Sequence, residues 1–264
     1  MPREKDKKLL AVDVGNTAIH IGYFKGCRLA RVHVLKTKAR VTTLSRQIKT
    51  LCRKYKAKGV ASVVMCSVVP KRTRILEKIF FRELEKKICL AGRDRRIPLI
   101  NRTRHPRQVG ADRMVGAYAA VCLYRCPVIV VDLGTAITLD AVSGKKEYLG
   151  GIIVPGINLS AEVLHERTAL LPLVKINKPD RIIGRDTQSA ILSGLFYGYG
   201  AMLHGLVGLL KKQLSSRTRV VMTGGYAGLM KDFFQKQAIL EPELVLKGLC
   251  FLENEGGCEQ AGNI

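Results

Sequence analysis

The sequence predicts an α/β protein built from a duplicated domain, and three observations carry that prediction. An apolar run enters an acidic residue, turns on Gly and Thr, and leaves as a second β-branched run at 130–139 (VVDLGTAITL). Nearly the same word stands at 10–19 (LAVDVGNTAI), so Asp13 and Asp132 lie 119 residues apart, a domain spacing. After each copy, β-like runs give way to segments with helical periodicity, the alternation of an α/β fold. A chain of 264 residues that is 47% hydrophobic is long enough to bury one large core or two modest ones.

In the first half, strands are expected at 8–14, 18–24 and 27–35, the third following the Lys25-Gly26 turn. Leu44, Ile48, Leu51 and Tyr55 recur at helical spacing and predict an amphipathic helix over 41–57 with a basic outer face. A buried strand is expected at 59–69, ending in SVVP. A second helix is marked by Ile75, Leu76, Ile79, Phe80 and Leu84, and a short strand follows near 97–100. A polar loop then leads to Val109-Gly110-Ala111-Asp112-Arg113, which opens a small-residue-rich helix over 113–125. An Asp at such a place is an N-cap or a functional carboxylate.

The second half repeats the plan with strands at 128–133, 136–142 and 147–154, then GGIIVPG at 150–156 and a helix over 158–170. GRDTQ at 184–188 caps a long helix over 188–214 that carries Gly194, Gly198, Gly200, Gly205 and Gly208. Glycines at that density weaken a helix, so close helix packing or a subunit interface is their natural use. A strand at 219–222 runs into the glycine-rich turn TGGYA at 223–227 before another helix. A final helix is expected over 243–254, with a frayed tail at 256–264.

Composition narrows the function classes. No apolar run reads as a membrane span, and the mixed-charge start is unlike a signal peptide. The eight cysteines (27, 52, 66, 89, 122, 126, 250 and 258) are scattered singly, as free thiols are in a reducing cytosol. Cys122 and Cys126 lie one helical turn apart without histidine partners. The net charge is +24, and residues 1–125 hold 31 Lys+Arg against 8 Asp+Glu. Such asymmetry attracts anionic partners. The basic residues are nevertheless dispersed among strands and helices, aromatics are 6%, Trp is absent, and no nucleic-acid-binding motif appears. A solvated basic face is the simpler reading.

The repeated turn admits two readings, an ordinary hairpin or a phosphate cradle. Glycine lets backbone N–H groups crowd inward, threonine adds a hydroxyl, and the adjacent carboxylate can hold a cation. Two copies favour the cradle. Eight pieces in order then resemble the type III pantothenate kinase family of the actin/sugar-kinase/heat-shock-ATPase superfamily. They are DVGNTAI (13–19), SVVP (67–70), GADR (110–113), DLGTAIT (132–138), GGIIVPG (150–156), TALLP (168–172), GRDTQSAILSG (184–194) and TGGYA (223–227).

The resemblance implies two ribonuclease-H-like domains, 1–118 and 119–264, with the active site in the cleft between them, in a cytoplasmic homodimer. It implies transfer of the γ-phosphoryl group of ATP to pantothenate, the first step of coenzyme A biosynthesis, with magnesium and potassium or ammonium. Carried over by residue, Asp13, Val14, Gly15, Asn16, Thr17, Ala18, Ile19 and His20 look like an ATP-phosphate loop, with Thr135 a further phosphate contact. Asp132 looks like the monovalent-cation ligand. Gly110, Ala111, Asp112 and Arg113 match the pantothenate-binding segment, with Asp112 as general base and Thr187 as another pantothenate contact.

Phosphoryl transfer needs charge neutralisation, alignment and a carboxylate at the nucleophilic hydroxyl, and these residue types supply all three. Two departures stand out. The family's Tyr-x-Asn-Pro before GADR is Thr103-Arg104-His105-Pro106 here, and Ala18 replaces the usual second Asn of the first turn. The alternative function is a same-fold binding protein whose basic N-terminal half contacts nucleic acid. Retention of Asp13, Asp112, Asp132, Thr135 and Thr187 argues against it.

Overall fold

Leu9, Leu10, Ala11, Val12 and Val14 are all excluded from water, and the run that holds them forms β1 (Lys8–Val14) at the middle of the first sheet. The computed structural model describes residues 7–234 and 237–254. In it, β1 pairs antiparallel with β2 (Ala18–Lys25), and β2 pairs antiparallel with β3 (Arg28–Lys36). On its other side β1 pairs parallel with β4 (Ser62–Ser67), which pairs parallel with β5 (Ile88–Leu90). Parallel pairing requires crossovers, supplied by α1 (Val41–Lys56) and α2 (Pro70–Leu84). Leu44, Ile48, Cys52 and Tyr55 of α1 join Leu76, Ile79 and Phe80 of α2 in burying Leu10, Val12 and Val14. Strand period two turns Leu9, Ala11 and Asp13 to the opposite face.

The short β6 (Ile100–Asn101) and the 3-10 turn Pro106–Gln108 lead into α3 (Ala111–Tyr124). The second sheet contains β7 (Val128–Leu133), β8 (Ala136–Val142), β9 (Glu147–Pro155), β10 (Arg219–Thr223) and β11 (Ala238–Leu240). Its order is β11-β10-β7-β8-β9-β6. With β6 set aside, that is the first sheet's order β3-β2-β1-β4-β5 read from the other edge, with matching parallel and antiparallel pairs. The duplication visible in two turns extends to two whole sheets. α4 (Ile157–Glu166), α5 (Thr187–Leu214) and α6 (Ala227–Met230) follow, and their apolar residues cover Ile129, Val131, Leu133, Ile137 and Leu139.

The last helix, α7 (Leu244–Glu253), packs on β1, β2 and β4. Gly22, opposite Ala11, would place a Cβ 3.1 Å from Leu246, so α7 covers the face that carries Asp13. α3 meets α7 at Gly248, where a Cβ would fall 2.5 Å from the Val115 carbonyl oxygen. The chain accordingly divides into two compact units. The first contains residues 1–99, 104–123 and 244–264, and the second contains 100–103 and 124–243. A single cut after residue 118 divides the sequence but not these contacts.

Five expectations change. The strands β5 and β11 are only three residues long and were not foreseen, and the helix expected over 158–170 stops at Glu166. The helix after the TGGYA turn is one turn long and continues as the 3-10 segment Lys231–Phe234. Cys122 is disulfide-bonded, whereas Cys27, Cys52, Cys66, Cys89, Cys126 and Cys250 are free thiols. One helix, α5, is in fact long and apolar enough to cross a membrane by length and composition. Its Leu195, Phe196, Leu203 and Val207 are nevertheless committed to the second unit's core. The expected frayed tail at 256–264 lies outside the described residues.

Candidate active site

Asp13 stands one residue before the end of β1, level with His20 on β2 and Cys66 on β4. The Cys66 thiol donates to Asp13 Oδ1 at 3.2 Å. Complete burial, then the charges of Asp13 and Asp112, push this thiol well above its ordinary pKa, so it stays protonated and remains a donor. The turn after Asp13 closes with the Gly15 N–H donating to the Ala18 carbonyl at 3.0 Å. It is fastened from behind by Thr37, whose N–H donates to the Thr17 carbonyl at 3.0 Å and whose hydroxyl donates to the Gly15 carbonyl at 2.8 Å. Asn16 and Thr17 are exposed at its tip, while Val14 and Ile19 on either side are fully buried.

The GADR segment joins this site from the same unit. α3 begins at Ala111, so Asp112 occupies the second helical position rather than the cap. Its Oδ1 accepts the Arg113 N–H at 2.8 Å and lies where a Cβ on Gly110 would have to be, 2.4 Å away. The same Cβ would be 3.6 Å from Val68 Cγ1, which sets GADR against SVVP. Only glycine at position 110 lets the carboxylate fold back over the chain. Asp13, by a hydrogen bond, and Asp112, by its charge alone, both favour the protonated form of one buried thiol. An acid at the head of a helix is also favoured by the positive end of the helix dipole.

The second unit presents the related turn. Asp132 on β7 is level with Thr138 on β8 and Thr223 on β10. The turn is fastened by the Gly156 N–H, which donates to the Thr135 carbonyl at 3.1 Å. A Cβ on Gly156 would lie 2.2 Å from that oxygen and 2.6 Å from the Gly134 carbonyl oxygen. The glycine-rich turn after β10 presses in from the other side. Gly224 has a φ of +88°, and a Cβ there would fall 2.5 Å from Asp132 Oδ1 and 2.6 Å from the Leu133 carbonyl carbon. The Thr138 hydroxyl donates to Asp140 Oδ2 at 3.0 Å, and the buried Tyr148 hydroxyl donates to Asp140 Oδ1. Asp140 thus forms a buried polar ladder on the Asp132 face of the sheet.

Thr187 lies on neither turn. It is exposed in the first turn of α5, where Asp186 accepts the Ser189 N–H at 2.9 Å and completes a capping box. Thr103, which stands where an aromatic ring was expected, donates its N–H and its hydroxyl to Asn101 Oδ1, at 3.0 and 2.7 Å. Its hydroxyl closes a local turn. Sequence reading missed Thr37 and Cys66. Both were recoverable from the repeat, because Thr37 stands 20 residues after Thr17 much as Gly156 stands 21 after Thr135, and Cys66 is level with Asp13 as Thr223 is with Asp132.

Comparison with known proteins fits this construction. The profile of the type III pantothenate kinase family matches residues 9–208. A type III pantothenate kinase from Dehalococcoides mccartyi strain CBDB1 is 38% identical over 250 residues, covering 93% of this chain and 95% of its own. One from Moorella thermoacetica is 36% identical, covering 91% and 96%. Among solved structures, a ROK family glucokinase from Streptomyces griseus aligns with a TM-score of 0.53 at 11% identity, covering 93% of this chain and 98% of its own. Component A of (R)-2-hydroxyglutaryl-CoA dehydratase from Acidaminococcus fermentans aligns with a TM-score of 0.52 at 15% identity, covering 97% and 99%. At such identities the solved structures speak for the fold alone, a mixed α/β fold with two sheets that the glucokinase and a putative N-acetylmannosamine kinase from Listeria monocytogenes share.

Proposed function

The chain belongs to the type III pantothenate kinase family, and from that premise we propose how its residues share the reaction. The family's reaction is ATP-dependent phosphorylation of pantothenate in coenzyme A biosynthesis. The observation that carries the residue assignment is the Asp112 carboxylate, folded over Gly110 at the head of α3 in the unit that holds Asp13. A primary hydroxyl is a poor nucleophile at neutral pH, and a carboxylate within reach orients it and takes its proton as the bond to phosphorus forms. In a largely dissociative transition state that proton moves late, so orientation is the larger part of the contribution.

Residues 13–20 act as the ATP-phosphate loop. Val14 and Ile19 contribute through their backbone because their side chains are in the core, while Asn16 and Thr17 face the nucleotide. Thr135 supplies a phosphate contact from the second turn, and Gly110, Ala111, Arg113 and Thr187 bind pantothenate. The basic surroundings of the first unit favour anionic substrates. The alternative of a nucleic-acid-binding relative gains no support from the comparisons.

Asp132 holds the monovalent cation. The groups around it fit that use: a carboxylate level with two threonines offers hard oxygen donors, and Gly224 leaves the carboxylate room by carrying no side chain. Bound there, the ion would neutralise phosphate charge, and magnesium carried with the nucleotide would do the same at the transferred group. A homodimer is supported by the second unit's surface. Leu170, Leu173, Ile182 and Ile183 are exposed there, and the α5 glycines 194, 198, 205 and 208 would each carry a Cβ into open space. We place the enzyme in the cytoplasm with its metabolic pathway.

ADP release measured with and without pantothenate, in potassium and in sodium at equal ionic strength, tests this reading. Pantothenate-dependent turnover that rises in potassium, and an Asp132→Asn variant that loses the preference, are the expected results. ATP hydrolysis indifferent to pantothenate would overturn the substrate assignment. Equal rates in both salts would remove the cation from Asp132.

A further inference from the structure

Thr37 follows the end of β3 and is 3% exposed, yet both of its polar groups serve one loop. Its N–H takes the Thr17 carbonyl and its hydroxyl takes the Gly15 carbonyl. A loop that receives phosphate must offer N–H groups, because a carbonyl oxygen aimed at phosphate oxygens repels them. The Gly15 carbonyl and the Asn16 N–H belong to one planar trans peptide and point in opposite directions. Capturing that carbonyl from the β3 side therefore aims the Asn16 N–H away from Thr37, at the exposed tip of the turn. The second bond anchors the far end of the same tip at Thr17. Without the hydroxyl, the peptide is free to rotate its carbonyl outward, towards the charge it should not face.

We infer that Thr37 is a positioning residue for nucleotide binding, acting through Gly15 and Thr17 to orient the loop's amides without touching ATP itself. The inference rests on residues 13–20 being the ATP-phosphate loop. Thr37→Val keeps the shape and the backbone bond but removes the hydroxyl. Losing one orienting hydrogen bond predicts a rise in the KM for ATP of roughly five- to twentyfold, with the KM for pantothenate held within about twofold. The thermal shift produced by ATP alone should shrink in parallel, and Thr37→Ser, which restores the hydroxyl, should recover both. Thr37→Ala reads the same split if the valine variant is too unstable to assay.

The control is Thr17→Ala, at the tip itself. If Thr17→Ala weakens ATP binding while Thr37→Val does not, the inference fails and the loop assignment stands. If neither changes the KM for ATP, the loop assignment itself falls. If Thr37→Val raises both KM values and Thr37→Ser does not rescue it, Thr37 only stabilises the fold and the inference is overturned.

Discussion

Asp13 and Asp132 stand one residue before the end of corresponding strands in two sheets that share one order once β6 is set aside, and the turn beyond each is fastened by the same bond. The residue after the third strand donates its N–H to the carbonyl of the turn threonine, Thr37 to Thr17 and Gly156 to Thr135. Beyond that bond the two regions part. The first turn is finished by side chains: the Thr37 hydroxyl holds a second carbonyl, and the Cys66 thiol holds the carboxylate. The second is finished by bare backbone, with Gly156 and Gly224 so close to their neighbours that neither site has room for a Cβ. One backbone device is closed in two ways. Substitutions at the first turn should change binding by degrees, whereas substitutions at the second should disturb the fold.

The largest effect is expected at the carboxylate that sits beside the first turn. Asp112→Asn preserves shape and removes charge, and kcat should fall by roughly two to four orders of magnitude if this is the base. Because Asp112 is the second helical residue and not the cap, thermal stability should barely move. Near-normal turnover in the folded variant would leave the first turn without its distinguishing group.

The contrast between side chain and backbone is tested next by Gly156→Ala. Its methyl group would meet two carbonyl oxygens, so the chain must shift, at a cost of about 1–3 kcal/mol in urea unfolding. A variant as stable as the parent would show that the second turn is not closed by backbone contact.

A smaller effect is expected at Cys66. Cys66→Ala removes a weak donor from Asp13, and the KM for ATP should rise roughly three- to tenfold, with Cys66→Ser close to the parent. Indifference to both changes would mean that Asp13 is held by other groups.

The smallest effect concerns the cap that precedes Thr187. Hydrogen bonds from the Ser189 N–H and hydroxyl hold the Asp186 carboxyl below its ordinary value of 3.8. A depressed carboxyl contributes stability that is complete above the unfolded value and is lost as pH falls through the folded one. Asp186→Ala should therefore lower the urea midpoint slightly at neutral pH and remove part of the parent's acid sensitivity below about pH 4. An unchanged acid limb would assign that sensitivity elsewhere.

Much of the fold was legible because its signals are local. The paired turns, the apolar runs of β7 and β8 and the helical spacing of Leu44, Ile48 and Tyr55 each declare themselves within a dozen residues. The missed strands β5 and β11 have three residues each, too few to carry a period, and owe their form to parallel pairing with β4 and β10. Asp112 was legible as a candidate, but its place over Gly110 was not, because a sequence does not show which rotamer the carboxylate takes when it accepts the Arg113 N–H. Thr37 looked like any polar residue after a strand. Its role depends on a carbonyl 22 residues away, which one sequence discloses only if the repeat is followed past its turn. Cys66 was hidden by a general expectation, since a buried cysteine is ordinarily read as inert filling.

The placement of α7 has a consequence for how the protein is made. During synthesis β1 leaves the ribosome long before the helix that covers its Leu9 and Ala11 face, with the whole second unit translated between them. The second unit is contained within 100–103 and 124–243, so all of its pieces are available before α7 exists. On the nascent chain, maturation therefore runs against sequence order, with the later repeat finished while the earlier one still shows an uncovered sheet face. For that interval the first unit exposes apolar sheet surface that is prone to aggregate until α7 is made.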